Sequence, residues 1–337
     1  MRKFIGLTAT VCLAAALFAG CSGSAPGSSP TAPSQPPTAI SPSATQEQVA
    51  TSAPIPAFPE DPAYIVEKEI VYANVDDVEL ELDLYKPAKG DGPFPAIVIM
   101  HGGNWVGGKR DSFSKQSEWA ADRGYVAILI ERRYALEVDE NSQTKYPFPA
   151  PLHDAKCAVR WLRSNAEDLG IDPDRIGVVG FSDGGMLALL LALTGPSDGL
   201  EGECGDLNYS SRVQAAVNLG GDMDLAFGFD ALPTTVQFGR SLLLGGTPEE
   251  RPEEFRVASP ITYVSEDDPP VLSIRGDIET EITPELSELF DTRMRDAGAS
   301  HTLIMRELTT HSYFMRAHPE LYITVFEFLD SHLKNDN

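Results

Sequence analysis

The chain has 337 residues, of which 42% are hydrophobic and 8% aromatic, and carries a formal net charge of -24 with a pI near 4.5. That is enough apolar material for a full-sized core, which excludes a wholly disordered polypeptide. The acidity makes sustained contact with nucleic acid or an anionic membrane face unfavourable and otherwise says little about chemistry.

Residues 1–21 read as a lipoprotein signal peptide: Arg2 and Lys3, an apolar run from Phe4 to Phe18, then L-F-A-G-C ending at Cys21. Ala19 and Gly20 are small enough for a peptidase, and the Cys21 thiol is expected to receive a diacylglycerol, whose two acyl chains suffice for stable anchoring. The run is too short for a comfortable transmembrane helix. An ordinary signal peptide with an incidental cysteine is the blander alternative. Residues 22–62, dominated by Ser, Pro, Thr, Ala and Gly, lack any periodicity that could bury a face and are expected to form a disordered tether. Membrane contact would then be through the lipid alone.

Residues 63–337 carry the pattern of one catalytic domain. Ile65 to Ala73 and Val78 to Tyr85 alternate as half-buried strands, whereas Ala96 to Met100 and Tyr125 to Ile130 are continuous apolar runs suited to strands covered on both faces. Helical patterns lie at Ser114 to Arg123, His153 to Leu169 and Met186 to Leu193. The alternation continues with strands at Ile176, Val213, Val271 and Thr302, a helix from Pro284 to Ala297 and a closing helix from Leu321. This is an α/β chain with about eight strands in one open, mostly parallel sheet and helices on both faces. Gly221 to Asp268, with Gly, Pro, acidic residues and Phe227, Phe229 and Phe238, interrupts the alternation and is expected to form a small lid-like insertion above the strand ends. Cys157 sits on a predicted core-facing helix, so a buried free thiol is favoured over a bridge to Cys204.

Two motifs carry chemistry. G-F-S-D-G-G, Gly180 to Gly185, follows a strand and opens a helix, the setting in which G-x-S-x-G holds a nucleophile, here Ser182, on a sharp turn. H-G-G-N-W, His101 to Trp105, directly follows an apolar strand and suits an oxyanion loop, with the amides of Gly103 and Asn104 as donors, joined by that of Asp183. A serine needs a base and an orienting acid. Of six histidines, His311 lies in a loop between the last strand and the last helix. The acid belongs in G-D-I-E-T-E, which offers Asp277, Glu279 and Glu281, and the order Ser, acid, His is satisfied by each. No clustered metal-ligand spacing and no nucleotide-binding glycine loop is present, so neither metal nor organic cofactor is expected.

With P-F-P-A-P-L-H-D-A-K-C-A-V-R-W-L, G-I-D-P-D-R-I-G-V-V-G-F-S and A-S-P-I-T-Y-V added, the chain from Tyr64 to Leu333 resembles the bacterial feruloyl esterase and carboxylesterase branch of the α/β-hydrolases, near the hormone-sensitive-lipase-like esterases. The resemblance implies the α/β-hydrolase fold. It maps the family's H-G-D-x-D turn onto R-G-D-I-E, placing the triad acid at Glu279 with Asp277 as runner-up. Three departures stand out: Glu279 for Asp, Asn104 for a third glycine, and Asp183 where alanine often follows the nucleophile. Asp183 would put a carboxylate beside the oxyanion hole, able to raise the histidine pKa or disfavour anionic substrates. E-R-R-Y-A at Glu131 is a further change.

The expected activity is therefore hydrolysis of small or medium carboxylic esters through an acyl-enzyme on Ser182. A prolyl-oligopeptidase-like peptidase is the enzymatic alternative, and a conspicuous acidic pair for a substrate amino group would support it. A non-catalytic binding lipoprotein on a hydrolase scaffold is the alternative from another class, and an unreactive Ser182 would favour it.

Overall fold

The protein is described by a computed structural model over residues 63–334, so the signal peptide, Cys21 and the tether lie outside the described residues. The chain runs through β1 (Tyr64–Val75), β2 (Val78–Pro87), β3 (Phe94–Met100), α1 (Ser114–Asp122), β4 (Val126–Ile130), α2 (Ala150–Ser164), α3 (Ala166–Leu169), β5 (Ile171–Phe181), α4 (Asp183–Leu193) and β6 (Ala215–Leu219). It continues through α5 (Thr234–Leu244), α6 (Pro252–Ala258), β7 (Val271–Gly276), α7 (Pro284–Ala297), β8 (His301–Arg306) and α8 (Pro319–Leu333). Eight strands form one sheet in the order β1-β2-β4-β3-β5-β6-β7-β8, with β2 antiparallel to both neighbours and the rest parallel. This is the α/β-hydrolase fold.

The period of two along each central strand divides the core into two layers. Ala96, Val98 and Met100 of β3 and Val126, Ile128 and Ile130 of β4 pack with α2, α4 and α7 on one side. Ile97, Ile99, Tyr125, Ala127 and Leu129 pack with α1 and α8 on the other. Both faces being covered is why these strands read as unbroken apolar runs. After β3 the chain crosses by α1 to β4, and after β5 it crosses by α4 to β6, on opposite faces and in opposite directions. The carboxyl ends of the neighbours β3 and β5 thus diverge, leaving the crevice at which ligands bind in open α/β sheets.

Two expectations change. The predicted helix His153 to Leu169 begins earlier, at Ala150, and breaks at Asn165 into α2 and α3. The lid-like stretch contains α5 and α6. Cys157 is not a free thiol: it is bonded to Cys204, 47 residues on. The helical position was read correctly as buried, but the loop carrying Cys204 returns to α2, where Arg160 donates to the main-chain oxygens of Glu201 and Cys204 at 2.9 and 3.0 Å. Lys156 pairs with Glu201 at 2.6 Å in the same place. Closing a loop of 47 residues restricts the unfolded chain by about 4 kcal/mol in the chain-entropy treatment. Cys157→Ala/Cys204→Ala should accordingly lower unfolding stability by roughly 2–4 kcal/mol, read from urea transitions; an unchanged midpoint would contradict it.

Candidate active site

Ser182 is the residue between β5 and α4, with φ 56° and ψ -125°, a left-handed conformation that a serine adopts only where its surroundings impose it. Its N–H donates to Leu219 O of β6 at 2.9 Å. The flanking glycines make room: a Cβ at Gly184 would lie 2.6 Å from the main-chain oxygens of Met100 and His101, and one at Gly180 would collide with the Gly184 carbonyl. Helix α4 starts immediately after the nucleophile, three residues earlier than its apolar pattern, so its N-terminal amides and dipole face the site.

His311 opens a short 3-10 turn after β8, and its Nε2 lies 2.9 Å from Ser182 Oγ. Its Nδ1 lies 2.7 Å from Glu279 Oε2, while Glu279 Oε1 accepts the Gly276 N–H at 2.6 Å. Of the three candidate acids, then, Glu279 meets the histidine. Asp277 is exposed and accepts the Thr309 N–H at 3.3 Å, and Glu281 accepts from Thr280 at 3.1 Å. Burial by itself would raise the Glu279 pKa, but the His311 hydrogen bond, the Arg275 and His311 charges and the Gly276 amide outweigh it and hold the group below the ordinary carboxylate range. Other histidines are engaged elsewhere: His301 contacts Asp291 at 2.9 Å and Ser273 at 3.0 Å, and His318 stacks on Tyr313.

The oxyanion loop departs from expectation. The Gly103 and Asn104 amides both donate to Asp183 Oδ1, at 2.6 and 3.2 Å, and the Trp105 amide donates to Asp183 Oδ2 at 3.1 Å. Arg132 Nη2 completes the set at 2.6 Å from Oδ2. The Asp183 carboxylate thus bonds to the loop and to Arg132, none of them His311, and two of the three amides assigned to an oxyanion, those of Gly103 and Asn104, are engaged. Asn104 further donates from Nδ2 to Thr235 O at 2.6 Å, which pins the loop to α5.

Sequence reading missed the polar groups behind this loop. Arg132 and Arg133 follow β4 after Glu131; Arg133 holds Asp154 of α2 at 2.7 Å, and Tyr134 donates to His101 Nε2 at 2.9 Å. The run E-R-R-Y at the carboxyl end of a buried strand was the available signal. His101 Nδ1 donates to Gly102 O at 2.9 Å, so both nitrogens of the neutral ring are used. Burial, and next the Arg132 charge, hold the His101 pKa down to about 4. The unfolded ring takes its proton near pH 6.5, so this group withdraws native stability as pH falls from there toward about 4. We expect the melting temperature to fall through that window and His101→Gln to fall less steeply; equal slopes would count against it.

The cavity above the strand ends has a volume of about 320 Å³ and is lined by Ser182 and His311, by the apolar Trp105, Phe181, Val236, Ile282 and Met315, and by the acids Asp183, Asp222 and Glu281. Asp222 is bound to Arg240 at 2.6 Å; burial outweighs the nearby cations and raises its pKa.

Residues 82–294 match the BD-FAE family model. Esterase LipC of Mycobacterium tuberculosis is 30% identical over 246 residues, covering 70% of this chain and 57% of that protein. Esterase LipQ of the same organism is 28% identical, covering 61% and 47%. The chain thus spans about half the length of the curated relatives it matches. Among solved structures, a truncated carbohydrate esterase from gut microbiota is similar with a TM-score of 0.70 and 26% identity, over 83% of this chain and all of that one. Esterase 2 of Thermogutta terrifontis, a planctomycete, is similar with a TM-score of 0.66 and 29% identity, over 83% of this chain and 96% of that one. The same enzyme phosphonylated by sarin scores 0.67 at 28% identity, over 82% and 99%.

Proposed function

Since the chain belongs to the BD-FAE family, we propose that it is a serine hydrolase that cleaves carboxylic esters through an acyl-enzyme on Ser182. The observation that carries this reading is the unbroken series Ser182 Oγ, His311, Glu279, with contacts of 2.9 and 2.7 Å. His311 Nε2 takes the hydroxyl proton as Oγ attacks the ester carbon, and the ionised Glu279 holds the imidazole in the tautomer that can accept it. The proton passes to the departing alcohol oxygen, the C–O bond breaks, and water repeats the sequence on the acyl-enzyme.

A short acyl group on a neutral alcohol, sugar hydroxyls included, fits the chamber of about 320 Å³. Similarity to a carbohydrate esterase and to the Thermogutta esterase, whose structures hold propionate and butyrate, supports that choice. A peptidase would need an acidic pair free to hold an amino group; of the three acids lining the cavity, Asp222 is already bound to Arg240 and Asp183 to Arg132, each at 2.6 Å, which favours the ester. The lipobox at Cys21 supports an extracytoplasmic, lipid-anchored location. Among the described residues no helix is long and apolar enough to cross a membrane.

Hydrolysis of p-nitrophenyl esters from acetate to octanoate by the full chain tests the reading. Turnover should peak at acetate to butyrate and decline with longer chains. No hydrolysis and no labelling by a fluorophosphonate would reject it.

A further inference from the structure

The Asp183 carboxylate gathers three consecutive main-chain amides and one guanidinium. Asn104 and Trp105 have φ of 53° and 67°, a left-handed bend that turns successive N–H groups into one concavity, the kind of nest that binds anions. The anion in it is internal: the side chain of Asp183 is 2% exposed and that of Arg132 is fully buried. An N–H points well at one acceptor only. With Oδ1 2.6 Å from the Gly103 nitrogen, that amide is not presented to a substrate carbonyl in this state.

We propose that Asp183 is an internal latch on the oxyanion loop: its carboxylate occupies the Gly103 and Asn104 amides at rest, Arg132 anchors it, and the amides pass to the substrate oxygen only as negative charge develops there. The inference rests on the esterase reading above. A neutral ester carbonyl competes poorly with a carboxylate for these donors, because bonds to an ionised acceptor are roughly twice as strong. A developing alkoxide carries comparable charge and competes on equal terms. Ground-state binding is therefore little affected by the latch and the chemical step is slowed, so the consequence is a lowered kcat at nearly constant KM.

Asp183→Ala removes the occupant. We expect kcat for p-nitrophenyl acetate to rise about tenfold or more, a fraction of the 10²–10³ that one oxyanion donor typically supplies, with KM little changed. A trifluoromethyl ketone, whose adduct carries the oxyanion, should bind tighter by a matching factor. Because Asp183→Ala leaves Arg132 buried without its partner, the double variant Asp183→Ala/Arg132→Met is measured beside it, with folding followed by circular dichroism. Unchanged or lower kcat and unchanged or weaker ketone binding in the folded double variant would overturn the latch and make Asp183 a positioning residue of the loop. Wild-type hydrolysis that disappears with Ser182→Ala yet does not rise in the Asp183 variants overturns the latch alone. If no form hydrolyses the ester or reacts with a fluorophosphonate, the esterase reading falls and the latch with it.

Discussion

Ser182→Ala is expected to lower kcat for p-nitrophenyl acetate by about 10⁶-fold, the loss typical when the nucleophile of a serine triad is removed. The whole arrangement converges on one atom. Oγ is projected by a backbone at φ 56°, faces His311 at 2.9 Å, and stands against the oxyanion loop, where a Cβ on Gly102 would lie 2.7 Å from Ser182 Cβ. Among the described residues no other hydroxyl is hydrogen-bonded to the base, and alanine removes the attacking atom. Residual catalysis from the oxyanion donors and binding would be at most about 10³–10⁴ over water, and less with the amides engaged. The readout is single-turnover release of p-nitrophenol together with loss of fluorophosphonate labelling. Retained burst kinetics in Ser182→Ala would assign the nucleophile elsewhere.

Glu279→Gln should cost about 10⁴-fold in kcat. The glutamine is isosteric, so the Gly276 contact survives, but an amide NH₂ turned toward His311 would place the Nε2–H tautomer opposite Ser182, where it cannot accept a proton. Asp277→Asn is the matched control and should stay near wild type, since Asp277 is exposed and its carboxylate accepts the Thr309 amide at 3.3 Å, away from His311. A larger loss in Asp277→Asn than in Glu279→Gln would reverse the assignment. Stability gives a second readout. The Glu279 pKa is depressed on folding, so its contribution is present above the unfolded value of about 4.3 and is lost as pH falls through the folded one. Glu279→Gln should therefore flatten the stability profile below about pH 4.3.

Local patterning carried much of this protein. Two unbroken apolar runs, Ala96 to Met100 and Tyr125 to Ile130, announce strands covered on both faces, and those strands are buried throughout. Ser182 is legible because a strand-to-helix turn demands glycine at close range on both sides. His311 is legible because it lies within the loop between the final strand and the final helix, whereas His318 caps that helix. These are properties of neighbours in sequence, and composition, periodicity and turn chemistry report on neighbours.

What the tertiary structure alone decided is which polar and sulfur-bearing groups meet across long stretches of chain. Cys204 reaches Cys157 only because the loop carrying it folds back on α2, a path no periodicity encodes. Glu279 rather than Asp277 meets His311 because the loop after β7 turns the one side chain inward and leaves the other, two positions earlier, exposed. Asp183 reads as a perturbing charge next to the nucleophile, yet it is bound by amides 78 to 80 positions earlier and by Arg132, 51 earlier. A buried charge is stable only with its partners in place, and those partners come from the ends of β3 and β4, while Asp183 itself follows β5. Sequence names the charge; the sheet order brings the partners.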